Sequence, residues 1–193
     1  QYNAFDQGVT FPASEVYLHE MPGGQFTNLL AQAKSLGLAN KWPEIAKTYS
    51  DVNQLFGDIV KVTPSSKVVG DMALLMISQG LTKEQVEDPE IEVAFPESVL
   101  DMLKGNLGQP PGGFPKSIVE KALGKEKIFA GRPGSKIEQK SLDKVRDDAC
   151  SDLSLSEIDD EDFGSYLMYP KIFAEYLNHH SIYGPVRTLP SNI

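Results

Sequence analysis

Apolar residues in this 193-residue chain recur at helical spacing only in short runs, and most runs are closed by a glycine or opened by a proline. A proline lacks the N–H that a helix interior needs, and a glycine accepts the left-handed conformation that ends a helix without steric cost. The chain is therefore limited to short helices. Leu29, Leu30, Ala33 and Leu36 form a stripe from Thr27 that Gly37 closes, and Ile45, Tyr49, Val52 and Phe56 form one that opens at Pro43 and ends at Gly57. Val68, Val69, Met72, Leu75 and Met76 supply the buried face of a helix running to Gly80, and Thr82 with Gln85 fits a capping box. Pro96 opens a further helix with Val99, Leu100 and Leu103, and one over 115–123 stops at Gly124. Two more, over 160–168 and 170–180, meet at Tyr169 and Pro170. Residues 58–62 are β-branched and read as extended, residues 15–19 alternate as a brief strand or a buried extended loop would, and 110–113 form a rigid turn. No repeat and no strand–helix–strand pattern is present. The expected class is mainly α, an irregular helical lobe. It divides into residues 1–124, a surface crossing over 125–140 rich in Gly, Pro, Lys and Ser, and a C-terminal helical region over 141–193.

Charge excludes one class of function. Eighteen Lys and Arg against twenty-seven Asp and Glu leave a net charge of −9, the wrong sign for a broad nucleic-acid surface. Residues 147–162 hold eight acidic groups and no Lys or Arg, which reads as a solvated face or loop. One cysteine, Cys150, precludes an internal disulfide and fits a reducing compartment, the cytoplasm or a mitochondrial matrix. It lies beside Asp147, Asp148 and Asp152, and nearby negative charge disfavours a reactive thiolate. No apolar run approaches the roughly 20 residues of a membrane span, and no secretory signal opens the chain. The first residue is Gln, not Met, so the sequence reads as cut from something longer.

Chemistry concentrates in residues 57–71, GDIVKVTPSSKVVGD. Thr63, Ser65 and Ser66 sit at a helix entrance, where the first turn has unpaired N–H groups, and Lys67 adds a cation; an anion or a polarised carbonyl fits such a place. The competing reading is structural, with Thr63 or Ser65 only capping the helix and Pro64 at its first position. Gln25 and Asn28 straddle another helix start, after Gly23 and Gly24. Asp58 and Asp71 read as structural, capping or pairing with Lys61. His19, His179 and His180 are not spaced to share a metal ion, so no metal site is assigned to this chain.

Four blocks carry a family resemblance: EVYLHEMPGGQFTNL from Glu15, NQLFGDIVKVTPSSKVVGD from Asn53, GQPPGGFP from Gly108, and AGRPG from Ala130 together with LMYPKIFAEY from Leu167. Over nearly its whole length the chain resembles the region that follows the TIM barrel in the carboxyltransferase domain of the pyruvate carboxylase family. Related biotin-dependent oxaloacetate decarboxylases and transcarboxylases resemble Pro-Gly-Gly-Met and Thr-Pro-Thr-Ser-Gln at the positions where this chain has Gln25 and Ser65-Ser66-Lys67. The resemblance implies a lobe that packs over the C-terminal face of a barrel absent from this chain. It also implies a reaction in which carboxybiotin delivers its carboxyl group to pyruvate, giving oxaloacetate. Thr63 is implied as the proton shuttle between the pyruvate methyl group and the biotin ureido nitrogen, with Ser66, Lys67 and Gln25 on the biotin side of the pocket.

Much of that machinery lies elsewhere in the family. The divalent metal, the pyruvate-binding residues, the biotin-accepting Met-Lys-Met and the ATP-using domain have no counterpart here, so the fragment is expected to be inactive alone. The full enzyme is expected to be a homo-oligomer without membrane or nucleic-acid partners. The alternatives are the corresponding lobe of a decarboxylase or transcarboxylase, and a helical scaffold that has lost the chemistry.

Overall fold

The computed structural model describes residues 6, 8 and 14–185. Among these there are ten α-helices and no strand. The chain divides into two compact units, Gln1–Ile137 and Glu138–Ile193.

The first unit holds α1 (Val16–His19), α2 (Gly23–Ser35), α3 (Trp42–Leu55), α4 (Ser65–Gln79), α5 (Lys83–Glu87), α6 (Glu97–Leu103) and α7 (Lys116–Leu123). Helices α3 and α4 are its centre: Ile45, Tyr49 and Val52 of the one and Val69, Met72 and Ala73 of the other are fully buried in a single core. α2 and α6 pack on α4, and α5 on α3 and α7. The predicted punctuation is present, for Gly80 closes α4 at φ 68° and Gly124 follows α7. Thr82 accepts from Gln85 N while the Gln85 side chain accepts from Thr82 N, completing the capping box.

Three expectations are corrected. Residues 15–19 hold neither a strand nor an extended loop: Val16–His19 is a single helical turn, closed by Glu20 at φ 57°. Alternation over five residues cannot distinguish the two periods, and the buried group, His19, is held locally by Met21 N donating to its Nδ1 at 3.0 Å. α2 begins at Gly23, not Thr27, because Pro22 sets the extended residue before it. Pro64 stands just before α4 as its cap residue instead of inside its first turn, and the Thr63–Pro64 peptide is cis.

The second unit holds α8 (Leu142–Leu153), α9 (Asp160–Met168) and α10 (Pro170–Tyr183), around a small core of Ala149, Ile158, Phe163 and Phe173. α8 occupies half of the acidic stretch read as a face or loop. Only Ala149 of α8 is buried, so its apolar stripe is too thin to stand out; the available signals were the Ser141 cap, which accepts from Lys144 N, and the Val145–Ala149–Leu153 spacing. Several of the acidic groups have structural partners. Asp148 pairs with Lys140 at 2.6 Å, Asp160 with Arg146 at 2.6 Å, Asp152 accepts from the Tyr166 hydroxyl, and Asp159 caps α9.

A candidate functional site at the entrance of α4

Phe56 caps α3, Gly57 and Asp58 turn the chain in the left-handed region, and residues 59–62 lead into α4 without regular secondary structure. Asp58 is held in that turn by Asn53 Nδ2 at 2.7 Å, while Lys61 reaches back 41 residues to Glu20 at 2.7 Å and holds its carboxyl below the usual range. Lys61 therefore pairs with Glu20 and not with the expected Asp58 or Asp71, a contact distant in sequence that spacing alone does not encode, while Asp58 and Asp71 take Asn53 and Lys67 as partners. Ser65 Oγ donates toward the carbonyls of Val60 and Val62, both at 2.8 Å, and accepts from Val62 N. Ser65 thus spends its hydroxyl tightening the entrance.

Thr63 does no such work. It is exposed, and its hydroxyl has no hydrogen-bond partner among the described residues. α4 has no side-chain cap bond, so the capping explanation of Thr63 is not what the structure contains.

Ser66 is buried in the first turn of α4, and its carbonyl accepts from the hydroxyl of the fully buried Tyr49 at 3.2 Å. Burial raises the Tyr49 pKa, so that hydroxyl remains a donor. Gln25, from the first turn of α2, is 7% exposed, and its side-chain amide has no hydrogen-bond partner among the described residues. It lies against Gly70, one helical turn beyond Ser66 on the same side of α4, where a Cβ would collide with Gln25 Nε2. Lys67 lies on a neighbouring, exposed face and pairs with Asp71 at 2.6 Å. The structure therefore brings Gln25 to the Ser66–Gly70 face, sets Lys67 aside with Asp71, and leaves Thr63 at the mouth.

The four residues do not close a cavity. A mostly apolar cleft of about 270 Å³ runs beside Thr63, lined by Val60, Val62, Ser65, Met102 and Phe114 among others, and one of about 600 Å³ lies between α1, α2 and α3 near His19, Phe26 and Trp42. Thr63, Gln25, Ser66 and Lys67 line neither. Among the described residues no group of three or more His, Cys, Asp or Glu could hold a metal ion, and no helix is long and apolar enough to cross a membrane.

Comparison with known proteins gives this arrangement its context. The conserved carboxylase domain family matches residues 16–193. The pyruvate carboxylase of Bacillus subtilis strain 168 is 44% identical over 188 residues, covering 97% of this chain, and that of Komagataella pastoris is 44% identical over 191 residues, covering 98%. The chain spans 16% of the length of each of these relatives. The carboxyl transferase domain of Rhizobium etli pyruvate carboxylase, solved with pyruvate and biocytin, superimposes with a TM-score of 0.85 at 57% identity, over 98% of this chain and 32% of that one. The complete multifunctional enzyme from the same organism matches with a TM-score of 0.84 over 19% of its chain. With its helical fold, its α4 entrance and these matches taken together, the chain belongs to the conserved carboxylase domain family.

Proposed function

We propose that this chain is the post-barrel part of the carboxyltransferase domain of a biotin-dependent pyruvate carboxylase. Its task is to supply Thr63 and one wall of the pocket in which a carboxyl group passes from biotin to pyruvate, giving oxaloacetate. The observation that carries this reading is the Thr63 hydroxyl, exposed at the α4 entrance with no partner among the described residues, in a chain 57% identical to a domain solved with pyruvate and biocytin.

A threonine hydroxyl is too weak an acid and too weak a base to act alone near neutrality, so it moves a proton only when it gives one as it takes one. Thr63 Oγ1 accepts a proton from the pyruvate methyl group and passes its own to the biotin ureido nitrogen. That nitrogen is free to take the proton once its bond to the carboxyl carbon has broken to release CO₂, the enolate left at the methyl carbon attacks the CO₂, and no external acid or base is consumed. Holding both substrates against one hydroxyl accounts for the rate advantage. The amide of Gln25, a residue only 7% exposed and without a hydrogen-bond partner among the described residues, fits a ureido or carboxylate group, as do the Ser66 hydroxyl and the Lys67 cation. Biotin supplies the carboxyl carrier when its domain is present.

The remaining parts belong to the rest of the enzyme. A barrel on the open side of the α4 entrance would close the pocket and carry the divalent metal, which no described cluster of this chain fits. ATP is used by another domain, and the assembly is a homo-oligomer in the cytoplasm or mitochondrial matrix. Within this chain, residues 1–124 carry the site, 125–140 cross the surface, and 141–193 lead onward.

Thr63→Ala in the full-length enzyme tests the assignment. Pyruvate carboxylation should fall by about a hundredfold or more, the scale of a lost proton-transfer group, with bicarbonate-dependent ATP cleavage retained. Loss of both activities together would sink it.

A further inference from the structure

We propose that Asp71 is a positioning residue for carboxyl transfer, fixing the Lys67 ammonium at the α4 entrance and being itself fixed by Ser98. This rests on the reading of Lys67 as a biotin-side group.

Helix stability favours the pair only weakly. Lys67 is the third residue of α4, where a cation opposes the positive end of the helix dipole. The order Lys then Asp at i,i+4 is also the less favourable one for an isolated helix. The same order recurs in α3, where Lys47 pairs with Asp51 at 2.6 Å, so what sets the α4 pair apart is the second tie that its carboxylate makes to another helix.

The two ends of the ion pair differ in the way positioning requires. The Lys67 side chain is 58% exposed and that of Asp71 19%, so the carboxylate is the anchored end. Its Oδ2 receives Lys67 Nζ at 2.6 Å and also Ser98 Oγ at 2.7 Å, and Ser98 comes from α6, a different helix. A single carboxylate oxygen thus ties an exposed surface cation to the packed α4–α6 core. An untethered lysine samples many rotamers, and holding it in place reduces the ordering cost when an anionic group arrives.

The test uses the full-length enzyme and the reverse transfer from oxaloacetate to free biotin, with separate KM values for biotin and for the keto acid. Asp71→Asn keeps the shape and an oxygen for Ser98 while removing the charge. Lys67→Gln and Asp71→Asn should each raise the KM for biotin about fivefold, the effect of losing one exposed charged contact. The KM of the keto acid and the melting temperature should stay close to wild type, and the double variant should be no worse than Lys67→Gln, because one group acts through the other. Singles whose effects multiply to about 25-fold in the double, or an Asp71→Asn enzyme with an unchanged biotin KM beside an impaired Lys67→Gln, would overturn the positioning role alone. An unchanged biotin KM in Lys67→Gln would overturn the biotin-side reading of Lys67 and the role of Asp71 with it.

Discussion

The side-chain amide of Gln25 occupies the space that Gly70 leaves by having no Cβ. One helix thus borrows its neighbour's missing side chain to seat a buried polar group, and this explains a glycine in the middle of a well-formed helix, where alanine is intrinsically favoured by about 1 kcal/mol.

Gly70→Ala sets those effects against each other. The added methyl meets Gln25 Nε2, the far end of a flexible side chain, and Leu29 Cδ1 at 3.0 Å. Gln25 yields more easily than the backbone, so the propensity gain and the local crowding should nearly cancel, leaving stability within about 1 kcal/mol of wild type. On the proposed reading of Gln25, biotin affinity in the full-length enzyme should fall in Gly70→Ala and in Gln25→Ala alike, and the double variant should add nothing. A collapse in melting temperature, or normal biotin use beside an impaired Gln25→Ala, would contradict the seating role.

Tyr49→Phe removes the only donor that α3 sends to the first turn of α4 among the described residues, the hydroxyl bonded to the Ser66 carbonyl at 3.2 Å. The expected loss is about 1 kcal/mol, or roughly 3 °C in melting temperature for a chain of this size. Differential scanning calorimetry would read it; no shift at all would mean that the bond contributes nothing net.

The stability of the fold should depend on pH through His19. Burial lowers its pKa, only partly opposed by Glu15, and its Nδ1 must be unprotonated to accept from Met21 N. The unfolded chain therefore binds the proton more readily, with a pKa near 6.5. The sign follows: stability is fully present above about 6.5 and declines as pH falls below it toward the lowered folded value. Unfolding midpoints measured from pH 7.5 to 5.5 should fall more steeply for wild type than for His19→Asn, whose amide cannot titrate. Parallel slopes would show that another group dominates.

Thr82→Ala should cost about 1 kcal/mol, since it removes the acceptor that satisfies Gln85 N and half of a reciprocal cap on a helix of five residues. Thr82→Ser should restore most of it. An alanine variant as stable as wild type in denaturant titration would mean that α5 is held by Val86 packing alone.

What proved legible in the sequence was whatever is decided within one or two helical turns. Gly80, Gly124 and the Thr82–Gln85 box act on the backbone beside them, so α4, α5 and α7 stop or start where the residues alone place them. The GDIVKVTPSSKVVGD segment likewise identified the family before any packing was considered. α8 escaped notice because its buried face is one alanine and its polar residues are partnered by groups outside the helix, such as Lys140 and Tyr166.

The site itself was divided between the two levels. Thr63, Ser66 and Lys67 are consecutive enough for the sequence to gather them at one entrance, but their division of labour is not a local property. It took the packing of α2 on α4 to bury Gln25 against Gly70, the packing of α6 on α4 to bring Ser98 to Asp71, and the return of residues 57–61 past α1 to commit Lys61 to Glu20. Such contacts are set by how helices cross, and helix crossing depends on the summed shape of two surfaces that no single stretch of sequence contains.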